Sequence, residues 1–220
     1  MASKTIQELG YCKSPPVSYE THDFRRSAYD LETPPRHVDS GLSIPRGYPE
    51  PKPGDNVALL IVDMEDKWLK YLSGEDRAQL IENQIDILDN YCRPLDIPVI
   101  ELVHGRGAKT TDKIQTLVEN VPRHKHLERD TDNGFTNLEL NRILQGWHID
   151  IPIVSGINTP KCILALVEGG IDLGYRMATS AGLVSKSRRL ADKGSMDKLR
   201  KKCYFSESYL DLLPLFFLNE

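Results

Sequence analysis

Cys162, Asp63 and His104 are the residues of this 220-residue chain whose types and positions most readily suggest chemistry. Cys162 follows the apolar run IPIVS and the turn GINTP, and it opens an apolar helical stretch. A thiolate is a strong nucleophile. A helix N-terminus, with unpaired N–H groups and the positive end of the dipole, favours that form. An inert buried thiol is the alternative for any free cysteine. Asp63 closes the run VALLIVDM, where a charge is costly unless something uses it. His104 ends the run IPVIELVH, and Arg106 follows it. A carboxylate beside a thiol can take its proton and later deliver that proton to a leaving group.

These groups meet only if the elements that carry them share an edge. The segments 57–64, 97–104, 151–155 and 174–180 read as strands, the first a continuous apolar run of the kind buried on both faces. Gly74–Cys92 carries apolar residues at helical spacing, and Asp112–Val118, Thr136–Gln145, Pro160–Leu173 and the basic Lys186–Lys202 also read as helices. Arg123–Glu128 is ambiguous. Strand–helix alternation predicts a three-layer α/β/α domain with a mostly parallel sheet. In such a sheet the carboxyl ends of the strands point to one edge, which can bring Asp63 and Cys162 together across 99 residues of sequence.

Composition bounds the partners. The net charge of −4 and pI near 5.9 speak against nucleic acid or a polybasic membrane patch. A mean hydropathy of −0.41 without a long apolar run speaks against a spanning helix. The start, MASKTIQELGYCKSPP, carries no secretory pattern, and the four scattered cysteines suit reduced thiols, so a cytoplasmic protein is expected. Eight of the fourteen prolines fall in residues 1–53, so residues 1–55 read as a proline-rich arm before a domain over 56–220. The arm's tyrosines and the apolar tail PLFFL (214–218) need cover. A homo-oligomer, dimer or higher, with arm or tail in the interface is therefore expected.

Residues 56–205 resemble the isochorismatase-like cysteine hydrolases, which include nicotinamidases and N-carbamoylsarcosine amidases. LLIVDMEDKW resembles the strand that ends in the catalytic Asp. NGFTNLELNRIL resembles the small-residue–Phe–helix segment after the catalytic Lys. SGINTPKC resembles the turn whose last residue is the nucleophile, and GGIDLGYRM resembles the helix end that follows. The resemblance implies Asp63 as base and Cys162 as nucleophile. It also implies a cis peptide before Asn158 and an oxyanion hole from the N–H groups of Asn158 and Cys162.

The third member departs from the family. Arg129 stands six residues before Phe135, where the family has lysine, and Lys125 would need a four-residue shift. Arginine can steady an anion but is a poor proton donor. Either Arg129 supplies the electrostatic part of the lysine role, or the site binds or does other chemistry. Glu65 and Gly182 are smaller departures, the family often having Gln at the first. The loop after Asp63 has no histidine of the kind that holds a metal in nicotinamidases. His124 and His126 would share a face only on a strand and lack a third ligand, so neither metal nor cofactor is expected. Trp68, His104 and Phe135 are candidates to line the pocket; for Trp68 the alternative is core, and for His104 a strand-end cap.

The expected function is a cysteine-dependent hydrolase of a small amide or carbamoyl substrate through a thioester. The alternatives are an isochorismatase-type vinyl-ether hydrolase and a non-hydrolytic binding protein.

Overall fold

The computed structural model describes residues 41–192 and 194–218, with the backbone of 36–37. Most of the proline-rich arm, including Tyr11, Tyr19, Phe24 and Tyr29, lies outside the described residues.

The strands are β1 (Arg36–His37), β2 (Ser43–Ile44), β3 (Val57–Val62), β4 (Val99–His104), β5 (His124–Arg129), β6 (Ile151–Ile157), β7 (Ala178–Ser180), β8 (Val184–Ser185) and β9 (Tyr204–Ser206). They form one sheet in the order β1-β2-β9-β7-β6-β3-β4-β5, with β8 beside the end of β6. The pairs from β9 through β5 are parallel, whereas β1–β2 and β2–β9 are antiparallel.

Helices cover both faces. On one, α2 (Gly74–Ile87), α3 (Asp112–Val118) and the 3-10 stretch Tyr209–Phe217 pack on Val57, Leu59 and Ile61. On the other, α4 (Leu138–Gly146), α5 (Leu164–Asp172) and α6 (Ser195–Lys202) pack on Ala58, Leu60 and Val62. Every residue of β3 is therefore buried, which is why its sequence does not alternate. A further short helix, α1 (Asp66–Leu69), follows Asp63 and was not expected. No helix among the described residues is long and apolar enough to cross a membrane.

Several expectations are corrected. The ambiguous segment 123–128 is β5, an edge strand whose polar face is solvated, with Leu127 and Arg129 buried. The strand expected over 174–180 is only β7, because Gly174, at φ +92°, ends α5 in a left-handed turn. The helix expected over 186–202 starts at Ser195, where Asp192 Oδ1 accepts from Ser195 N at 2.8 Å; before it runs a loop. Residues 41–55 are part of the folded body: Leu42 and Ile44 are buried, and Asp55 forms a two-bond pair with Arg176. The tail also packs on its own chain, with Leu215 and Phe216 buried and Phe217 45% exposed.

Candidate active site

The carboxyl ends of β3, β4, β5 and β6 converge on one edge. Asp63 follows β3 in the left-handed region, φ +52°, and its N–H donates to Leu102 O at 3.0 Å, which ties it to β4. His104 and Arg129 close their strands side by side in register. β6 ends at Ile157, and the Ile157–Asn158 peptide is cis, at the position the family resemblance implies. Gly156 faces Val62 across the strand pair, and a Cβ there would stand 2.0 Å from Val62 O. Only glycine lets these two strand ends approach so closely.

The Arg129 guanidinium donates through Nη2 to Asp63 Oδ2 and through Nη1 to Thr131 O. The two side chains are 1% and 3% exposed, so this is a buried ion pair. Lys125 lies four residues back along β5 and is exposed, so Arg129 is the cation beside Asp63. Burial raises the Asp63 pKa, and the Arg129 charge only partly offsets this. Asp63 Oδ1 is buried without a hydrogen-bond partner.

Cys162 sits in a π-helical turn, Thr159–Ile163, that leads into α5. It is 6% exposed, and its Sγ donates to Asp132 Oδ1 at 3.3 Å. The thiol is also in electrostatic contact with Asp63 and Arg129. A thiolate stabilised by the helix end is not the resting state. Burial, then the Asp63 charge, push the thiol up to about 12, outweighing Arg129. Cys92 and Cys203 are fully buried, and their thiols are raised further by desolvation alone.

The remaining site candidates fall in different places. Asn158 fixes the turn: its Oδ1 accepts from Ser187 N at 2.8 Å and its carbonyl from Ile163 N at 3.2 Å. Trp68 and His104 are half-buried beside each other, ring centroids 6.1 Å apart. Phe135 is 7% exposed and stacks on Tyr175 at 5.6 Å, within the core on the face of the sheet covered by α4 and α5.

Two carboxylates were missed as site residues. Glu65, noted only as a departure from Gln, is buried and accepts from His104 N at 2.9 Å. Asp132 is exposed beside the thiol, and nothing in its local sequence marks it. His124 and His126 share one face of β5, as a strand requires, and both face the buried Glu101, at 2.7 and 3.6 Å. No group of three or more such residues able to hold a metal ion is found among the described residues.

The chain belongs to the isochorismatase-like hydrolase family: the model of the isochorismatase domain matches residues 57–205. Among solved structures, a nicotinamidase from Staphylococcus aureus is similar at 20% identity and TM-score 0.55, covering 66% of this chain and 92% of its own. An N-carbamoylsarcosine amidase from Thermoplasma acidophilum matches at 17% identity and TM-score 0.56, covering 69% and 95%. A ribonuclease from Caenorhabditis elegans matches at 17% identity and TM-score 0.52, covering 62% and 68%. At these identities the likeness speaks for the fold alone, and fold does not fix substrate. No curated protein matches the chain.

Proposed function

We propose that this protein is a cysteine-dependent hydrolase of small amide or carbamoyl compounds. The observation that carries the reading is the buried Asp63–Arg129 pair in electrostatic contact with the Cys162 thiol. With the thiol held up near 12, a thiolate arises at neutral pH only by handing its proton to a base, and Asp63 has one oxygen free to take it.

Asp63 accepts the Cys162 proton as Sγ attacks the carbonyl carbon. The N–H groups of Asn158 and Cys162 stabilise the oxyanion. The tetrahedral species collapses, the C–N bond breaks, and Asp63 returns the proton to the leaving nitrogen. Water then gives a proton to Asp63 and attacks the thioester. Asp63 finally reprotonates the departing sulfur, which leaves an acid product and the starting enzyme. Arg129 stays charged throughout and holds the Asp63 carboxylate in place. The active species is proposed to be a homo-oligomer, and sedimentation at micromolar concentration showing only a 24.9 kDa species would contradict that.

The test is acid-quenched turnover of a panel of small amides and carbamoyl compounds followed by peptide mass spectrometry. An acyl group on the Cys162 peptide is expected. Amide hydrolysis with no acylation of Cys162 under rapid quench, and unchanged in a Cys162→Ser variant, would contradict the mechanism.

A further inference from the structure

Four buried polar atoms at this edge have no hydrogen-bond partner: Asp63 Oδ1, Glu65 Oε2, Trp68 Nε1 and Arg129 Nε. Buried polar groups are almost always paired, so such a cluster asks for an explanation. Asp63 and Arg129 already have roles in the proposed reaction. Glu65 has none.

Glu65 is 3% exposed and stands two residues beyond Asp63. Its Oε1 is occupied, by His104 N at 2.9 Å and by Lys67 Nζ at 3.5 Å. Its Oε2 has nothing. The Asp63 and Glu65 charges repel each other, so two carboxylates share the space at the ends of β3 and β4. A third carboxylate, Asp132, stands at the thiol itself. Against these three, among the described residues, stand two permanent cations, the buried Arg129 and, at the rim, Lys67, whose side chain is 45% exposed, together with the half-buried His104, which also acts on Asp63. The wall already accommodates a cation, since Lys67 Nζ sits 5.3 Å from the centre of the Trp68 ring. An anionic group entering here would meet a surplus of negative charge. An N–H donor would find a buried acceptor with no other partner.

We propose that Glu65, supported by Asp132, sets substrate choice: the compound hydrolysed carries an ammonium, amidinium or similarly N–H-rich cationic group, which donates to Glu65 Oε2 while its carbonyl faces Cys162. This rests on the reading of Cys162 as the nucleophile and names the substrate class for it. Glu65 is a specificity residue and takes no part in proton transfer. The substrate's positive charge also replaces what the site lacks beside the thiol, so binding favours the thiolate that must form.

Three alkylating probes of similar size and different charge test the proposal: 2-bromoethylammonium, iodoacetamide and iodoacetate. Their rates at Cys162 are read by peptide mass spectrometry and divided by their rates with 2-mercaptoethanol. The wild-type protein is expected to favour the cation over the anion by at least about tenfold after that correction. Glu65→Gln keeps an acceptor for His104 N and removes the charge, so it should cut the cation-to-neutral ratio at least about fivefold; Asp132→Asn should lower it in the same direction. A wild-type ratio near one, or one that favours iodoacetate, overturns the proposal. So does a cation preference that Glu65→Gln leaves intact, because a purely structural Glu65 would change melting temperature and not the ratio. Should Glu65→Gln fail to fold, the wild-type ratio and Asp132→Asn decide. Hydrolysis of glycinamide, propionamide and succinamate separates the two readings. Turnover ranked anion first leaves the amidase standing and sinks the specificity. No turnover with a cation-first alkylation order does the reverse.

Discussion

At Asp63 burial and the Arg129 guanidinium act in opposite directions, and burial wins, so the carboxyl pKa lies above its ordinary 3.8. Glu65 is raised too, by burial and then by the Asp63 charge. For a carboxyl whose folded pKa exceeds its unfolded one, the stabilising contribution is present below the unfolded value and is lost as pH rises through the folded one. The base form of Asp63 therefore appears later than usual, and the acid limb of kcat/KM is expected to turn above the ordinary aspartate range. A pH–rate profile checks this, and a midpoint below 3.8 would contradict it. Arg129→Met leaves a buried carboxylate without its cation, at a cost of about 3–5 kcal/mol. Denaturant unfolding should show a loss that grows as pH rises and Asp63 ionises, larger at pH 8 than at pH 4; equal losses would show that the charge is not the cause. Arg129→Lys keeps the charge, so it should retain more activity than Arg129→Met. The strand-end positions of Asp63 and Cys162 are legible in the sequence because an apolar run and the turn that ends it are local; the position of Arg129 is legible only through the family spacing to Phe135, since its strand is not. The resting thiol is not legible, because its state depends on burial and on Asp63, 99 residues away.

Two elements decide whether the groups meet. β3 and β6 run in register from Val57↔Ile151 to Val62↔Gly156, and the absence of a side chain at Gly156 lets both ends reach the site. Gly156→Ala would place a Cβ against Val62 O in a backbone of φ +126°. Strain of this kind costs ~1–3 kcal/mol before the clash is counted. Thermal melts are expected to show a fall of many degrees or insoluble protein, and a wild-type Tm would contradict the packing described. The apolar strands and amphipathic helices were readable because both faces of the sheet are covered. β5 was not, because HKHLER exposes its polar side chains at the sheet edge and its helix- or strand-specific period is weak. The loop at 186–192 reads as helix in sequence because its basic composition has no breaker. What decides it is the contact of Ser187 N with Asn158 Oδ1, a tertiary bond no local pattern contains.

Across the whole molecule, the segment before β3 is tied to the sheet by Asp55, whose oxygens accept from Arg176 at 2.7 and 2.9 Å. Burial pushes the Asp55 pKa up, but the Arg176 guanidinium and the Lys52 N–H outweigh it, so the net shift is downward. The stability this confers is present above the unfolded pKa and is lost as pH falls through the folded one. Asp55→Asn should cost about 3 kcal/mol at neutral pH, and the difference from wild type should shrink in acid. A pH-independent difference in urea unfolding would assign the effect to packing instead. The proposed function depends on Cys162, and its most direct measurement is ammonia release from small amides by wild-type protein and by Cys162→Ala. Wild-type protein should release ammonia while the variant, equally folded by circular dichroism, releases none above background. Release at the wild-type rate by Cys162→Ala would contradict covalent catalysis at this site.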